Sequence, residues 1–384
     1  MSDSNKVIPW DVCILNTGGT FSQSKNREGV YDIIPNHMDQ VNEQIMVFTK
    51  SYFPDLQCGI VPIIDPKLNF IWEKFNATPQ YLDSSAMTSN YWNVMAGAIS
   101  YLHSENIAKS FVIIHGTDSL AYSAAALSFM IRDCSYPIIV TGAQVPILSK
   151  STDAIRNLIE AITVATHKTT AGHMNGVYVS FYGKLMRGVH VVKVSSIELE
   201  AFDAPRFQPV GTINFTNLKI DPRYIGQLGY LEYIVRKKQE AKLKDATSTK
   251  QHLTTQPNTT KNTNISGSIS NTSNTNKSYN NKIFRACDCI GAVMIIKIYP
   301  GIDINYLLTI PKESRPRAIL LIGLGSGNGP SNDMNNTLKA LLNEYCFIAV
   351  VSDCLDGRAS ERYATSIVVR NCFKTLLFTI YNPI

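Results

Sequence analysis

Short apolar runs recur along the first half of the chain, and each ends in a loop that contains glycine. They occupy residues 12–15, 111–114, 137–140 and 177–181. Between them, apolar residues repeat at helical spacing in segments 90–104, 119–131 and 153–164. Fully apolar strands that alternate with amphipathic helices predict a parallel sheet covered on both faces. We therefore expect an α/β fold, with a flavodoxin/Rossmann-like parallel-sheet N-terminal domain over residues 1–205.

The strand pattern stops after this domain and returns near the end of the chain. Three further apolar runs, at 290–296, 318–322 and 347–351, predict a smaller C-terminal α/β domain over residues 288–384. Residues 206–287 are predicted to be an interdomain linker. Within it, Asn, Thr and Ser fill 20 of the 32 positions of 251–282, and this stretch has no acidic residue. Such a tract cannot bury enough apolar surface to fold, so we expect a disordered insertion at 239–283.

Composition narrows the class of protein. The 384 residues are 45% apolar, which is enough for a large core, and 36 basic against 30 acidic side chains give a net charge of only +6. The eight cysteines show no paired CxxC pattern, and the seven histidines show no metal-ligand spacing. No apolar run is long enough to cross a membrane. We expect a cytoplasmic protein without metal, cofactor, nucleic-acid or membrane partner.

Threonines at the strand ends are the main candidates for chemistry. In parallel sheets the ligand crevice lies at the carboxyl ends of the strands. Thr20 directly follows a glycine pair, where backbone N–H groups can point into a crevice and stabilise an oxyanion. Thr117 and Asp118 end another strand, and a threonine becomes a nucleophile only when a neighbouring base or charge helps to remove its proton. Considered alone, each threonine is more often a helix cap, since Thr and Asp favour turns from strand to helix for that reason. The spaced glycines of 323–329 do not form a dinucleotide fingerprint and predict a close backbone approach instead.

Two motifs carry a resemblance to a known family. Thr17-Gly18-Gly19-Thr20, followed by His115-Gly116-Thr117-Asp118, resembles the bacterial-type L-asparaginases, and within them the cytosolic type I members. The similarity spans about residues 10–365 except for the insertion. The motifs that agree between and after these two are 84–88, 137–144, 153–157, 298–301 and 325–328.

The resemblance implies an activity and a set of site residues. The family hydrolyses the side-chain amide of L-asparagine to L-aspartate and ammonia, without a cofactor, through a threonine acyl-enzyme. Thr20 would be the nucleophile, assisted by Tyr31, and Thr117, Asp118 and Lys193 would form a second catalytic cluster. The residues implied to bind substrate are Gly19, Ser84, Ser85, Gly116 and Asp118. Family members complete their sites at subunit contacts, so we expect a homodimer or homotetramer.

The sequence also departs from the family pattern. Ala86, Val192 and Ile322 replace residues usual in cytosolic members, while Cys354 matches a cysteine near their regulatory asparagine site. After residues 363–366 the chain diverges, so we expect a truncated or altered end of the C-terminal domain. Two alternatives stay open. One is a catalytically degenerate relative that binds asparagine or a partner, and the other is the asparaginase-like subunit of a tRNA-dependent amidotransferase.

Overall fold

The computed structural model describes most of the chain on either side of the predicted insertion. The described residues are 9–131, 134–169, 172–224, 286, 291–329, 332–343, 347–355, 359, 366–367 and 375–377. The segment predicted to be disordered, 239–283, lies outside them. Within the described residues, no helix is long and apolar enough to cross a membrane.

A large sheet dominates the first part of the molecule. The strands of this part are β1 (Val12–Asn16), β2 (Ser24–Lys25), β3 (Tyr31–Asp32), β4 (Cys58–Pro62), β5 (Phe111–Ile114), β6 (Pro137–Thr141), β7 (Lys168–Thr169), β8 (Gly172–His173), β9 (Gly176–Phe181), β10 (Lys184–Arg187), β11 (Val192–Lys193), β12 (Phe202–Asp203), β13 (Gly211–Asn214) and β14 (Asn217–Ile220). Among the described residues, eight of them form one sheet in the order β14-β13-β10-β9-β6-β5-β1-β4. The strands from β9 to β4 are parallel, and β10, β13 and β14 extend one edge in antiparallel pairing.

Helices cover both faces of this sheet. They are α1 (Met38–Tyr52), α2 (Asn69–Lys74), α3 (Ser89–Ser104), α4 (Leu120–Met130) and α5 (Ala154–Thr166). Successive strand residues point to opposite faces, so Cys13 and Leu15 pack with α3 and α4, while Val12 and Ile14 pack with α1 and α5. The four strands predicted from apolar runs are therefore buried on both sides, which confirms the parallel-sheet prediction. Helix α1 and strand β4 were not predicted, because both are only about half apolar.

One hairpin lies inside the range predicted as a linker. β13 and β14 fall within 206–287, and β13 pairs with β10 at the edge of the large sheet. Its Ile213 is buried, and Leu218 of β14 packs against the same core. Alternating apolar residues thus give this segment one buried face, and the first sheet extends to Ile220.

A smaller sheet follows the insertion. Its strands are β15 (Val293–Lys297), β16 (Ala318–Gly323), β17 (Phe347–Ser352) and β18 (Thr375–Leu377), and helix α6 (Asn332–Asn343) lies between β16 and β17 in the chain. The described pairs are all parallel, in the order β15-β16-β17-β18. Leu321, Leu338 and Ile348 are buried in its core. The α/β fold with a second, smaller sheet is confirmed, and β18 lies in the segment predicted to be a truncated or altered end.

Candidate active site

The loop that holds Thr20 begins where β1 ends. The hydroxyl of Thr17 donates to the carbonyl oxygen of Ile114 in β5 at 2.7 Å. On the other side, Leu82 N donates to Thr17 O at 2.7 Å, and Gly19 N donates to Leu82 O at 3.1 Å. Backbone hydrogen bonds on two sides therefore fix the loop before Thr20, whose side chain is partly exposed.

The two amides of the glycine pair are bonded within the protein. Gly18 N donates to the side-chain oxygen of Asn16 at 3.0 Å, and Gly19 N donates to Leu82 O. That backbone N–H groups at this loop stabilise an oxyanion stays a prediction. Gly19 has a φ of +70°, and a β-carbon added there would lie 2.2 Å from the Cα of Gly116. Only glycine permits this backbone contact.

The contact of the two glycines brings the two threonine loops together. Thr20 follows Gly19 in one loop, and Thr117 follows Gly116 in the other. Thr117 is buried, and it lies shortly after the end of β5. The carboxyl ends of neighbouring parallel strands therefore place both predicted hydroxyl groups at one edge of the sheet.

Lys193 completes the cluster from a separate hairpin. Its Nζ donates to Thr117 Oγ1 at 2.9 Å and to Asp118 Oδ1 at 2.8 Å. Lys193 belongs to β11, which pairs with β12 so that it lies opposite Phe202. The lysine side chain is 22% exposed and that of Asp118 is 62% exposed, so the cluster opens to solvent on the aspartate side. An amine in contact with a hydroxyl can hold, take or return its proton.

Ser84 lies against both Gly116 and Asp118 of the second threonine loop. It is buried, and its Oγ accepts a hydrogen bond from Asp118 N at 3.2 Å. A β-carbon added at Gly116 would lie 2.5 Å from this oxygen. Ser119 Oγ donates to Ser84 O at 2.5 Å. Ser85 is different, since it is exposed and bonded to the carboxylate of Asp83.

Tyr31 stands apart from these residues. It lies in the short strand β3, its side chain is 45% exposed, and the Nζ of Lys25 lies 5.4 Å from its ring centroid. Among the described contacts, none joins Tyr31 to Thr20 or to Thr117. The structure brings the other predicted residues into the threonine loops or beside them, and the role of Tyr31 stays a prediction.

A buried histidine supports the second threonine loop. His115 is fully buried, and its Nδ1 lies 2.7 Å from the carbonyl oxygen of Gly116. Burial lowers the pKa of His115 to about 4, which the hydrogen bond to the carbonyl only partly offsets. The ring is therefore neutral at pH 7, and it adds no charge behind Thr117.

Sequence reasoning missed two residues that hold the site in place. Asn16 is buried at the end of β1, and its side-chain oxygen accepts from Gly18 N and from Ser22 Oγ. Gln144 Nε2 donates to the carbonyl oxygen of Glu198, in the segment after Lys193. A polar residue that directly ends an apolar strand is a signal for the first, but nothing local to Gln144 indicates its distant partner.

The described residues offer no cluster of side chains of the kind that binds a metal ion. In the parts of the chain that the structure describes, no group of three His, Cys, Asp or Glu side chains could hold a metal ion. The site consists of hydroxyl groups, one amine, one carboxylate and the surrounding backbone.

The fold and this cluster define an α/β protein with paired threonine loops, and comparison with known proteins gives its family. Residues 11–225 match the family model of the asparaginase N-terminal domain, which is more than half of the chain. The chain belongs to the asparaginase family. This confirms the resemblance drawn from the two motifs.

Individual relatives agree with the family. An L-asparaginase of Dirofilaria immitis is 26% identical over 371 residues, covering 93% of this chain and 52% of the relative. L-asparaginase 1 of Escherichia coli K12 is 30% identical over 199 residues, 52% of each protein. A glutamyl-tRNA(Gln) amidotransferase subunit of Methanococcus maripaludis is 28% identical over 284 residues, covering 72% of this chain and 55% of the relative. The chain spans about half the length of the curated relatives it matches.

Solved structures share the fold. The thermostable L-asparaginase from Thermococcus kodakarensis superposes with a TM-score of 0.61 at 22% identity, covering 92% of this chain and 84% of that one. L-asparaginase I from Vibrio cholerae gives the same TM-score, identity and coverage. At this identity the likeness is evidence for the α/β architecture alone.

Proposed function

We propose that this protein is an L-asparaginase that forms an acyl-enzyme ester on Thr20. The observation that carries the proposal is the contact of Lys193 with both Thr117 and Asp118, at the edge of the sheet where the Gly19–Gly116 contact adds the Thr20 loop. A buried hydroxyl held by an amine is suited to proton transfer during acyl transfer.

The reaction divides between the two threonine loops. Thr20 Oγ attacks the side-chain carbonyl carbon of L-asparagine, the C–N bond breaks, and ammonia leaves with the proton that Thr20 gives up. A water molecule, deprotonated through Thr117 and Lys193, then cleaves the aspartyl ester and restores Thr20. Tyr31 would assist Thr20 after a movement of its loop towards the site.

The substrate is recognised through its α-amino and α-carboxylate groups. The exposed carboxylate of Asp118 suits the ammonium, and the hydroxyl of Ser84, beside Gly116, suits the carboxylate. Ser85 and the backbone of Gly19 are proposed to contact the substrate beside Ser84. The carboxylate of Asp118 would then serve both the substrate and Lys193.

The test is ammonia release from L-asparagine by the purified protein. We expect activity in the wild type and losses of about a thousandfold or more in Thr20→Ala and Thr117→Ala. Thr212→Ala is the matched control, because Thr212 is an exposed threonine of β13, which lies next to the edge strand β14 of the large sheet. It should stay within about twofold of the wild type. Full activity in Thr20→Ala, or none in folded wild-type protein, would refute the proposal.

The matches to glutamyl-tRNA(Gln) amidotransferase subunits favour one alternative. In it, the same cluster releases ammonia only for a partner protein and a charged tRNA. Ammonia release by the isolated protein supports the asparaginase, whereas release that begins only after a partner protein and tRNA are added supports the alternative. Wild-type protein that binds L-asparagine without turnover would instead fit a degenerate relative.

A cytoplasmic location and a homo-oligomer stay predictions. Light scattering of the purified protein tests the predicted homo-oligomer.

A further inference from the structure

Several contacts hold the hairpin that carries Lys193, and most of them come from the large sheet. Lys184 Nζ, in β10, bonds Glu200 Oε1 at 2.6 Å and Asp203 Oδ1 at 3.2 Å. Gln144 Nε2 donates to Glu198 O at 3.1 Å. These contacts fix the segment between β11 and β12 against the same sheet that carries the threonine loops.

One further contact comes from the smaller sheet. Arg206 lies three residues after β12, and its guanidinium donates to three main-chain carbonyls at the end of β17 and in the turn that follows it. Nη2 donates to Ser352 O at 3.2 Å and to Cys354 O at 2.9 Å, and Nε donates to Leu355 O at 3.2 Å. A guanidinium is always charged and carries its donors in a fixed plane, so it can hold converging carbonyls at a set orientation.

The turn held by Arg206 is itself joined to the glycine loop 323–329. Ser352 Oγ donates to Gly325 O at 2.5 Å, and Gly325 N donates to Asp353 Oδ1 at 2.7 Å. Asp353 N also donates to Gly323 O at 2.9 Å. Hydrogen bonds therefore connect the glycine loop to Arg206 through this turn. The proposed reaction assigns no role to the glycine loop.

The chain from Arg206 back to Lys193 is short. Phe202 is the register partner of Lys193, and Arg206 is four residues further along. Phe202 is buried against Phe181 of the large sheet, with ring centroids 4.8 Å apart. The loop that holds Arg206 thus continues directly from the strand that pairs with Lys193.

We infer that Arg206 is a positioning residue, through which the smaller sheet sets the alignment of Lys193 with Thr117. This inference deepens the proposed function and rests on it for its catalytic part. It predicts that loss of the Arg206 contacts slows the chemical steps more than it weakens substrate binding, because misplacement of a proton-transferring group lowers kcat.

The experiment compares Arg206→Ala with Arg206→Lys and with Arg223→Ala. Arg223 is the matched control, since its partner Gln208 lies in the same loop as Arg206, whereas its described partners Asp221 and Gln208 are not in the smaller sheet. We expect kcat for L-asparagine to fall about tenfold to a hundredfold in Arg206→Ala, with KM within about twofold. Arg206→Lys keeps the charge with fewer donors and should recover part of the loss, and Arg223→Ala should match the wild type.

A second readout does not depend on activity. Val194 N donates to Ala201 O across the hairpin, so hydrogen exchange at Val194 reports its order. Exchange there should become faster in Arg206→Ala and stay unchanged in Arg223→Ala. If the wild type releases no ammonia, the proposed function fails while faster exchange still supports the coupling. Wild-type kcat together with wild-type exchange in Arg206→Ala, or an equal loss in folded Arg223→Ala, would overturn the inference.

Discussion

Two lysine–aspartate pairs lie at opposite ends of the large sheet and have the same length. Lys193 and Asp118 meet at the carboxyl ends of the strands, with Nζ and Oδ1 2.8 Å apart, and Lys109 and Asp11 meet at the amino ends, also at 2.8 Å. The Lys109 side chain is 57% exposed, whereas Lys193 is 22% exposed and also reaches the buried hydroxyl of Thr117. Distance alone therefore does not distinguish a site from a surface ion pair.

The surroundings of the two pairs explain the difference. An exposed pair in water is screened and contributes about 0–1 kcal/mol. At the amino end, the pair lowers the pKa of Asp11 through the hydrogen bond from Lys109, and nothing reactive lies beside it in the described contacts. At the carboxyl end, the Gly19–Gly116 contact brings two threonine loops to the lysine. The proposed chemistry depends on these threonine loops as well as on the lysine–aspartate pair.

Removal of the two lysines gives the largest expected contrast. Lys193→Ala should lower kcat/KM for L-asparagine by about a thousandfold, or about 4 kcal/mol, because it removes the group proposed to move the proton of Thr117. Lys109→Ala should leave kcat/KM within about twofold. The measurement is steady-state ammonia release by both variants at equal folded concentration. Equal losses in the two variants would remove the distinction between the two ends.

The glycine contact allows a second test at the carboxyl end. Gly19→Ala places a methyl group against the backbone of Gly116 at positive φ, and we expect a loss of about 3–5 kcal/mol in unfolding free energy. Gly29 also has positive φ, but a β-carbon added there meets nothing within 4 Å. Gly29→Ala should therefore cost only about 1 kcal/mol. Urea unfolding measures both, and similar losses would show that backbone conformation, not the loop contact, decides the cost.

Two histidines make a smaller, pH-dependent contrast. The pKa of buried His115 is lowered to about 4, so between pH 6.5 and 4 the unfolded chain binds a proton that the folded protein refuses. This group's contribution to stability is complete above pH 6.5 and falls by about 3 kcal/mol as the pH drops to 4. At the amino end of the strands, burial also lowers the pKa of half-buried His103. The contribution of His103 to stability therefore also decreases as the pH drops below 6.5.

Variants at both histidines measure this contrast by urea unfolding at several pH values. His115→Asn keeps a donor for Gly116 O and should flatten the dependence of stability on pH between 6.5 and 4. His103→Asn should flatten it less, because His103 is only partly buried. A wild-type slope that survives in His115→Asn would contradict the assignment of the effect to this ring.

The sequence predicts the large-scale architecture because burial leaves a clear pattern. Fully apolar strands such as 111–114 are stable only inside a covered sheet, and the structure places this one there. The hairpin of β13 and β14 was missed because its alternating pattern is short and follows a region without strand signals. Local pattern identifies elements that are buried on both faces more readily than edge strands.

The site was predictable only in part, for a different physical reason. Motifs placed Thr20 and Thr117 at strand ends, and the family resemblance added Lys193, but their contacts depend on loops that are distant in sequence. Arg206 and its carbonyl partners are separated by about 150 residues, so no local pattern links them. The hydrogen bonds of Gly18 N and Gly19 N could not be predicted for the same reason. A glycine pair in the sequence does not reveal which acceptors its N–H groups will bond.

The most direct test of the account is whether an acyl-enzyme forms on Thr20. Wild-type protein would be given L-asparagine or the β-methyl ester of L-aspartate in the presence of hydroxylamine, and aspartyl hydroxamate and aspartate would be measured. A common acyl-enzyme predicts the same ratio of the two products from both substrates, and no hydroxamate from Thr20→Ala. A ratio that depends on the leaving group, or hydroxamate formation by Thr20→Ala, would contradict the account.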